Sequence, residues 1–279
     1  AIYPAKDSGF ETGDFIIKIN DISVNNNQQV AEIIDKAGKM DMKLNVKYIR
    51  NGEAKTTEIK ALYCEDTKSY RTGLYIRDNT AGVGTLTFYD PVSGKYGALG
   101  HMISDLQDKS TNKALGSIVR ANIQGIKIGR KGVPGEKMGV FVGGSWQGSI
   151  EKNTNFGIFG SLDKEMKSDF YPQALPIALI DQVKEGPAKI LTVINGEKIE
   201  EYDINIMKIL PNHKASGKGM VIEVTDERLL SQTGGIVQGM SGSPIIQNGR
   251  LIGAVSHVFI NDPMKGYGCF AFWMMEEMQ

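Results

Sequence analysis

The sequence predicts a mostly β protein in two parts. A small α/β unit covers residues 1–62, a linker covers 63–80, and a large β domain covers 81–279. Three observations carry this reading. Glycine is in excess at 33 of 279 residues, about 12% against a usual share of roughly 7%, and it lacks a three-residue period, so it marks turns. Asn-Gly pairs at 51–52, 195–196 and 248–249 separate strand-like runs, and two-residue hairpin turns prefer that dipeptide. Convincing long helical patterns are scarce.

In chain order, Gly9 to Asp14 is a turn cluster, Phe15 to Ile19 alternates as a strand, and Asn20-Asp21 turns the chain again. Val30, Ile33, Ile34 and Ala37 recur at helical spacing, and Gly38 is expected to stop that helix. Leu44, Val46 and Tyr48 then alternate with Lys43, Asn45 and Lys47 ahead of Asn51-Gly52 and a second strand ending near Leu62, which makes a half-buried hairpin. From about Tyr63 to Asp78 the chain is polar and aperiodic, as a linker would be. Strand-like segments follow at Gly82 to Tyr89, Ile123 to Ile128, Met138 to Val142, Ile158 to Leu162 and Ile190 to Ile194. The stretch after Asp203 is the main helix candidate, and Phe270, Phe272 and Trp273 complete a core. Many short strands over some two hundred residues indicate a sandwich or a pair of barrels.

Composition excludes several function classes. Thirty-two basic and 32 acidic residues cancel, so the electrostatic footprint of a general nucleic-acid binder is missing. No apolar run approaches the ~18 residues of a membrane span. The start at Ala1, without methionine or leader, reads as a trimmed piece of something longer from which an N-terminal membrane anchor could have been lost. Cys64 and Cys269 are far apart and have no Cys/His cluster around them, so no metal site is expected, while a disulfide and two free thiols both stay open. The glycine-rich segment Gly129 to Gly139 lacks the Gly-Lys-Ser/Thr ending of a phosphate loop and reads as a solvated loop. No cofactor is expected.

The chemistry concentrates between Gly234 and His257. Within Gly239-Met240-Ser241-Gly242-Ser243-Pro244, small residues surround Ser241, and a glycine two positions earlier lets the chain turn so that the Gly239 and Ser241 amides share one oxyanion hole. Ser243 is a weaker nucleophile candidate because proline follows it. A serine nucleophile needs a base, and there are three histidines. His101, after a strand and beside Gly100, is placed first. His257, at the end of a strand, fits the wall of a substrate groove, and His213 lies in a polar loop.

Residues 1–62, with "KDSGFETGDFIIKINDISV", a helix and a hairpin, resemble a bacterial PDZ domain of the kind attached to serine proteases. That resemblance implies capture of peptide termini by strand addition. The strand and carboxylate-binding loop that would do this are expected to precede Ala1, and a packing module without a ligand is the alternative. The Ser241 block resembles the Gly-Asp-Ser-Gly-Gly-Pro segment of chymotrypsin-like serine proteases, with Met240 and Ser243 replacing an aspartate and a glycine. With that aspartate goes the buried salt bridge that activates trypsin-type zymogens.

"YGALGHMISD", "EGPAKILTVINGE", "VTDERLL" and the stretch from Gly234 to Glu276 together resemble the SpoIVB peptidase family of endospore-forming bacteria. The resemblance runs over essentially the whole chain and implies a PDZ-like unit followed by a chymotrypsin-like double β-barrel. It implies Ser241 as nucleophile, His101 as base and Asp226 as acid; Asp105 is the rival acid on spacing, since four residues after His101 it could share a helical face with it. It also implies a sporulation role: cleavage of itself and of a membrane-bound regulator of an intramembrane metalloprotease, triggering a sigma factor. The implied location is exported or membrane-anchored, between the forespore and mother-cell membranes. Two other classes stay open, a catalytically silent PDZ scaffold and a broad-specificity quality-control protease.

Overall fold

The computed structural model describes residues 4–11, 13–24, 26–50, 53–76, 82–103, 115–142 and 147–278. They form two compact units, residues 1–81 and 82–279. The first contains α1 (Pro4–Asp7), β1 (Phe15–Ile19), β2 (Ile22–Ser23), α2 (Asn27–Lys39), β3 (Lys43–Arg50), β4 (Glu53–Lys60), β5 (Leu62–Cys64) and β6 (Ser69–Arg71). Its main sheet has the order β2-β1-β3-β4, antiparallel throughout. Asn20 and Asp21 both take left-handed φ, 48° and 62°, so Ile19 pairs directly with Ile22. Asn26 caps α2 by accepting the Gln29 N–H at 2.8 Å. Val30, Ile34 and Ala37 then share one face of the helix, which packs on Ile19, Leu44, Val46 and Ile59. At the end of β3, Arg50 holds the 9–14 turn: it donates to both Asp14 oxygens at 2.7 Å, to Glu11 and to the Gly9 carbonyl. That guanidinium keeps the Asp14 carboxyl below the usual carboxylate range.

Two sequence expectations change here. Gly38 does not stop α2. It lies buried inside the helix because Tyr70 packs where its side chain would be: a Cβ there would stand 2.2 Å from Tyr70 Cγ. The supposed linker is also partly structured. β5 and β6 pair over three residues each, and Asp35 on α2 accepts the Tyr70 N–H at 2.9 Å. Strands of three residues are too short to show a period in sequence. Asn51-Gly52 lies outside the described residues, although Arg50 pairs with Glu53 on either side of it.

The second unit opens with β7 (Leu86–Tyr89), β8 (Lys95–Ala98), β9 (Gly116–Val119), β10 (Ala121–Lys127), β11 (Glu136–Phe141), β12 (Gln147–Ile150), β13 (Lys152–Thr154) and β14 (Gly157–Ser161). These make one four-stranded sheet, β13-β14-β8-β7, and the pairs β10-β11 and β12-β9. The carboxy-terminal part contains β15 (Gly186–Val193), β16 (Ile199–Ile209), β17 (Met220–Val224), α3 (Glu227–Thr233), β18 (Pro244–Gln247), β19 (Arg250–Phe259), β20 (Asp262–Phe270) and α4 (Ala271–Met278). Its six strands close into a barrel in the order β15-β16-β17-β20-β19-β18.

Period-two burial fills that barrel. Tyr202, Ile204 and Ile206 of β16, and Met220, Ile222 and Val224 of β17, all point inward. The helix expected after Asp203 is therefore a strand, since its apolar residues alternate. Trp273 of α4 closes one side against Phe156 and Phe270, at ring-centroid distances of 5.7 and 4.8 Å. Asn248 and Gly249, with φ of 51° and 70°, turn β18 into β19. Cys64 and Cys269 are both free, and no described helix is long and apolar enough to cross a membrane.

The Tyr70 contact sets two effects against each other. Gly38→Ala gains up to about 1 kcal/mol of helix propensity, while forcing a methyl into the base of Tyr70 costs about 1–3 kcal/mol. The variant should lose net stability by about 1 kcal/mol in urea unfolding of the first unit. Added stability would show that Tyr70 moves away freely.

Candidate active site

β8 ends at Ala98, and the next two residues, Leu99 and Gly100, both take left-handed φ of 71° and 68°. That double turn directs His101 off the sheet. Gly100 passes close to the barrel here, because a Cβ on it would meet Ala254 Cβ, Cys269 Cβ and the Val255 carbonyl at 3.4 Å. Thr85, just before β7, joins the two parts. Its N–H donates to the Ser241 carbonyl at 2.8 Å, its carbonyl accepts the Leu99 N–H at 3.2 Å, and its hydroxyl donates to the Gly239 carbonyl at 3.1 Å.

Gly239 and Gly242 take φ of 94° and 92°, a backbone that disfavours side chains. A Cβ on Gly242 would stand 1.9 Å from the Thr85 carbonyl. Within this loop the Gln238, Met240, Gly242 and Ser243 amides donate to Gly135, Val237, Val255 and Met240 carbonyls at 2.7–3.1 Å. The Gly239 and Ser241 amides donate to no acceptor among the described residues. Alternate N–H groups are thus left unpaired beside the Ser241 side chain, as an oxyanion hole requires.

The Ser241 hydroxyl donates to the Ser256 carbonyl at 3.1 Å. The residue after Ser256 is His257, whose ring centroid lies 5.0 Å from that of His101. Partial burial, then the charges of His101 and Lys218, hold the His257 imidazole well below its ordinary range although one side stays open to solvent. His257 is therefore neutral near pH 7. The Met102 carbonyl accepts a 2.8 Å bond from His101 Nδ1, which leaves Nε2 of a neutral ring with the lone pair. His101 and His257 thus face each other, and Ser241 bonds the residue before His257; no hydrogen bond joins Ser241 to His101 among the described residues. His213 is exposed in the 211–216 turn and makes no ring contact with the other two histidines among the described residues. Ser243 is fully buried, with its hydroxyl donating to Thr192 Oγ1 at 3.1 Å, so it does not face solvent.

The implied acid is placed elsewhere. Asp226 lies past the end of β17, and Lys218, before the start of that strand, faces His257. Five strand residues separate the two ends by ~16 Å. The Asp226 carboxylate instead caps α3: it accepts the Arg228 N–H at 2.9 Å, pairs with the Arg228 guanidinium at 2.7 Å and accepts the Asp203 N–H at 3.3 Å. No hydrogen bond or ion pair joins it to His101 among the described residues. An arginine two positions on and a helix N-terminus satisfy it locally. Asp105 lies outside the described residues.

Sequence reasoning also passed over Lys137. The solvated-loop expectation for Gly129 to Gly139 fails at this residue, which is 3% exposed. Its neighbours on β11 face the wrong way for a simple amphipathic reading, since Met138 and Val140 are about half exposed while Lys137 points inward.

Asp226→Ala should remove the cap and cost the barrel about 1–2 kcal/mol, while Asp226→Asn, which keeps an acceptor, should cost less. Arg228 first, then the backbone N–H bonds, lower the folded-state pKa, so the ionic contribution is present above the unfolded value near 3.8 and is lost as pH falls through the folded one. Urea titrations at neutral and acid pH check this. Both variants should still react with a fluorophosphonate at Ser241 within about threefold of wild type, as for a group remote from the reacting atoms.

Residues 68–275 match the SpoIVB peptidase S55 family, and residues 1–61 match the PDZ domain. A comparison with curated proteins finds no match. Among solved structures, the inactive form of the Rv3671c protease of M. tuberculosis shares 17% identity over 47% of this chain and 65% of its own, with a TM-score of 0.34. The active form of that protease shares 14%, over 62% and 92%, with a TM-score of 0.32. A mutant of human heparin binding protein shares 16%, over 65% and 83%, with a TM-score of 0.37. Since the first family match covers well over half of the sequence, the chain belongs to the SpoIVB peptidase S55 family of serine peptidases and carries a PDZ domain ahead of its peptidase domain.

Proposed function

We propose that Ser241 is the nucleophile of this serine peptidase, that His101 is its general base, and that the amides of Gly239 and Ser241 bind the oxyanion. The pair of unpaired amides in an otherwise fully bonded loop carries this reading. The Ser241 hydroxyl rotates from the Ser256 carbonyl toward His101 Nε2, and the imidazole takes its proton as Oγ attacks a peptide carbonyl. Negative charge collects on the carbonyl oxygen between the two N–H donors. His101 then protonates the departing amine, and water, activated by the same imidazole, releases the acyl group. The Met102 carbonyl fixes the His101 tautomer.

The substrates in this proposal are proteins. The first unit adds a hollow of about 290 Å³ along α2, between Val30 and Ile34 on one side and Leu74 and Ile76 on the other, of a size to take a peptide end. Its apolar lining and the PDZ match support that use. The family membership supports a narrower role: sporulation signalling by cleavage of itself and of a membrane-bound regulator of an intramembrane metalloprotease, in the space between the forespore and mother-cell membranes. A signalling peptidase should cut an unfolded casein-like substrate at few sites, and efficient cutting at many sites would favour a quality-control protease.

Ser241→Ala should abolish fluorophosphonate labelling, and His101→Ala should slow it by at least about 10³-fold. Mass spectrometry of the labelled peptide reads both. Labelling that survives Ser241→Ala would remove the mechanism.

A further inference from the structure

Lys137 and Asp226 are the only lysine, arginine, aspartate or glutamate residues buried as a whole among the described residues, and the Asp14 side chain is buried as well, against Arg50. Asp226 is answered by Arg228. Lys137 has no carboxylate within ion-pair distance among the described residues, and burial alone pushes its pKa down to about 7. A desolvated, unpaired amine opposes folding, whereas methionine would fill a similar volume without that penalty. Retention of lysine at this point therefore calls for a role other than packing.

Its contacts supply one. The Lys137 N–H donates to the Gln238 carbonyl at 2.9 Å, and the Gln238 N–H donates to the Gly135 carbonyl at 2.8 Å. The Lys137 stem lies against Gly239, where a Cβ would meet its Cβ, Cδ and Cγ at 3.0–3.2 Å. Its Nζ donates to Thr192 Oγ1 at 2.7 Å, the same oxygen that accepts the Ser243 hydroxyl at 3.1 Å. Lys137 therefore touches one end of the Gly239–Ser243 loop directly and holds the other through Thr192 on β15.

We propose that Lys137 is a positioning residue that holds the Gly239–Ser243 loop, through the Gly239 backbone and the Thr192–Ser243 hydroxyl pair, in the form that presents the oxyanion-binding amides. The proposal rests on the assignment of Ser241 as nucleophile. It gives the loop an amine tie from within the peptidase domain, at a site where Met240 offers no carboxylate for a salt bridge.

The test uses the full chain and a fluorophosphonate probe, whose tetrahedral adduct places an oxygen in the hole. Lys137→Met should lower the limiting inactivation rate by about 10²-fold, the order seen when one oxyanion donor is lost. Probe affinity should stay within about threefold, and the melting temperature should be equal or higher because the buried charge is gone. Thr192→Val, which keeps shape and removes the relay, should be slowed as well, and the double variant should be no slower than the worse single one, as for residues acting as one unit. A Lys137→Met or Thr192→Val protein with the wild-type inactivation rate would overturn the proposal, as would loss confined to probe affinity or to thermal stability. The Ser241→Ala control separates the two levels. Labelling that persists there defeats the nucleophile assignment and this proposal together, whereas Ser241-dependent labelling with an unaffected Lys137→Met defeats this proposal alone.

Discussion

The site depends on a backbone constraint in the Gly239–Gly242 loop. Positive φ at both glycines lets four successive peptide groups alternate in direction, so that the Met240 and Gly242 N–H groups bond inward while those of Gly239 and Ser241 have no acceptor among the described residues. Buried or half-buried amides seldom stay unpaired. The surrounding contacts hold them so: Val255 on β19 takes the Gly242 N–H, and Thr85 binds the carbonyls of Gly239 and Ser241. A side chain at Gly242 would collide with Thr85, so the approach of the β7–β8 sheet to the barrel and the shape of the loop are one requirement.

His101 follows from that approach. The left-handed turn at Leu99 and Gly100 is compatible with the Thr85–Leu99 bond, and it brings the imidazole beside His257 at the edge where Ser241 meets β19. The Met102 carbonyl, a neutral acceptor, holds the His101 ring at Nδ1. Two buried charged residues have different solutions: Asp226 caps α3 at the far end of β17, while Lys137 sits under the loop with its Nζ on the Thr192 hydroxyl.

Much of this was legible in the sequence where side-chain chemistry is local. The turn dipeptides at 195–196 and 248–249, the α2 face of Val30, Ile34 and Ala37, and the small-residue setting of Ser241 each follow from spacing and residue type. What was not legible depends on contacts distant in sequence. Gly38 reads as a stop until Tyr70 is placed over it. The β16 strand reads as a helix because the irregularity after Ile206 puts Ile209 out of the period-two phase of Ile204 and Ile206. Asp226, which the family resemblance implies as the acid, is instead taken up by Arg228 at the far end of β17. Lys137 carries the least signal, being a lysine in inward phase between outward Glu136 and Met138, a pattern that reads as surface until Thr192 and Gly239 close over it.

The central claim is that one loop presents nucleophile and oxyanion donors together, and a crystal structure of the phosphonylated protein tests it most directly. The account predicts phosphorus bonded to Ser241 Oγ, with one phosphoryl oxygen about 2.7–3.1 Å from both the Gly239 and Ser241 nitrogens. A phosphoryl oxygen turned to solvent, or phosphorus on another residue, would contradict it.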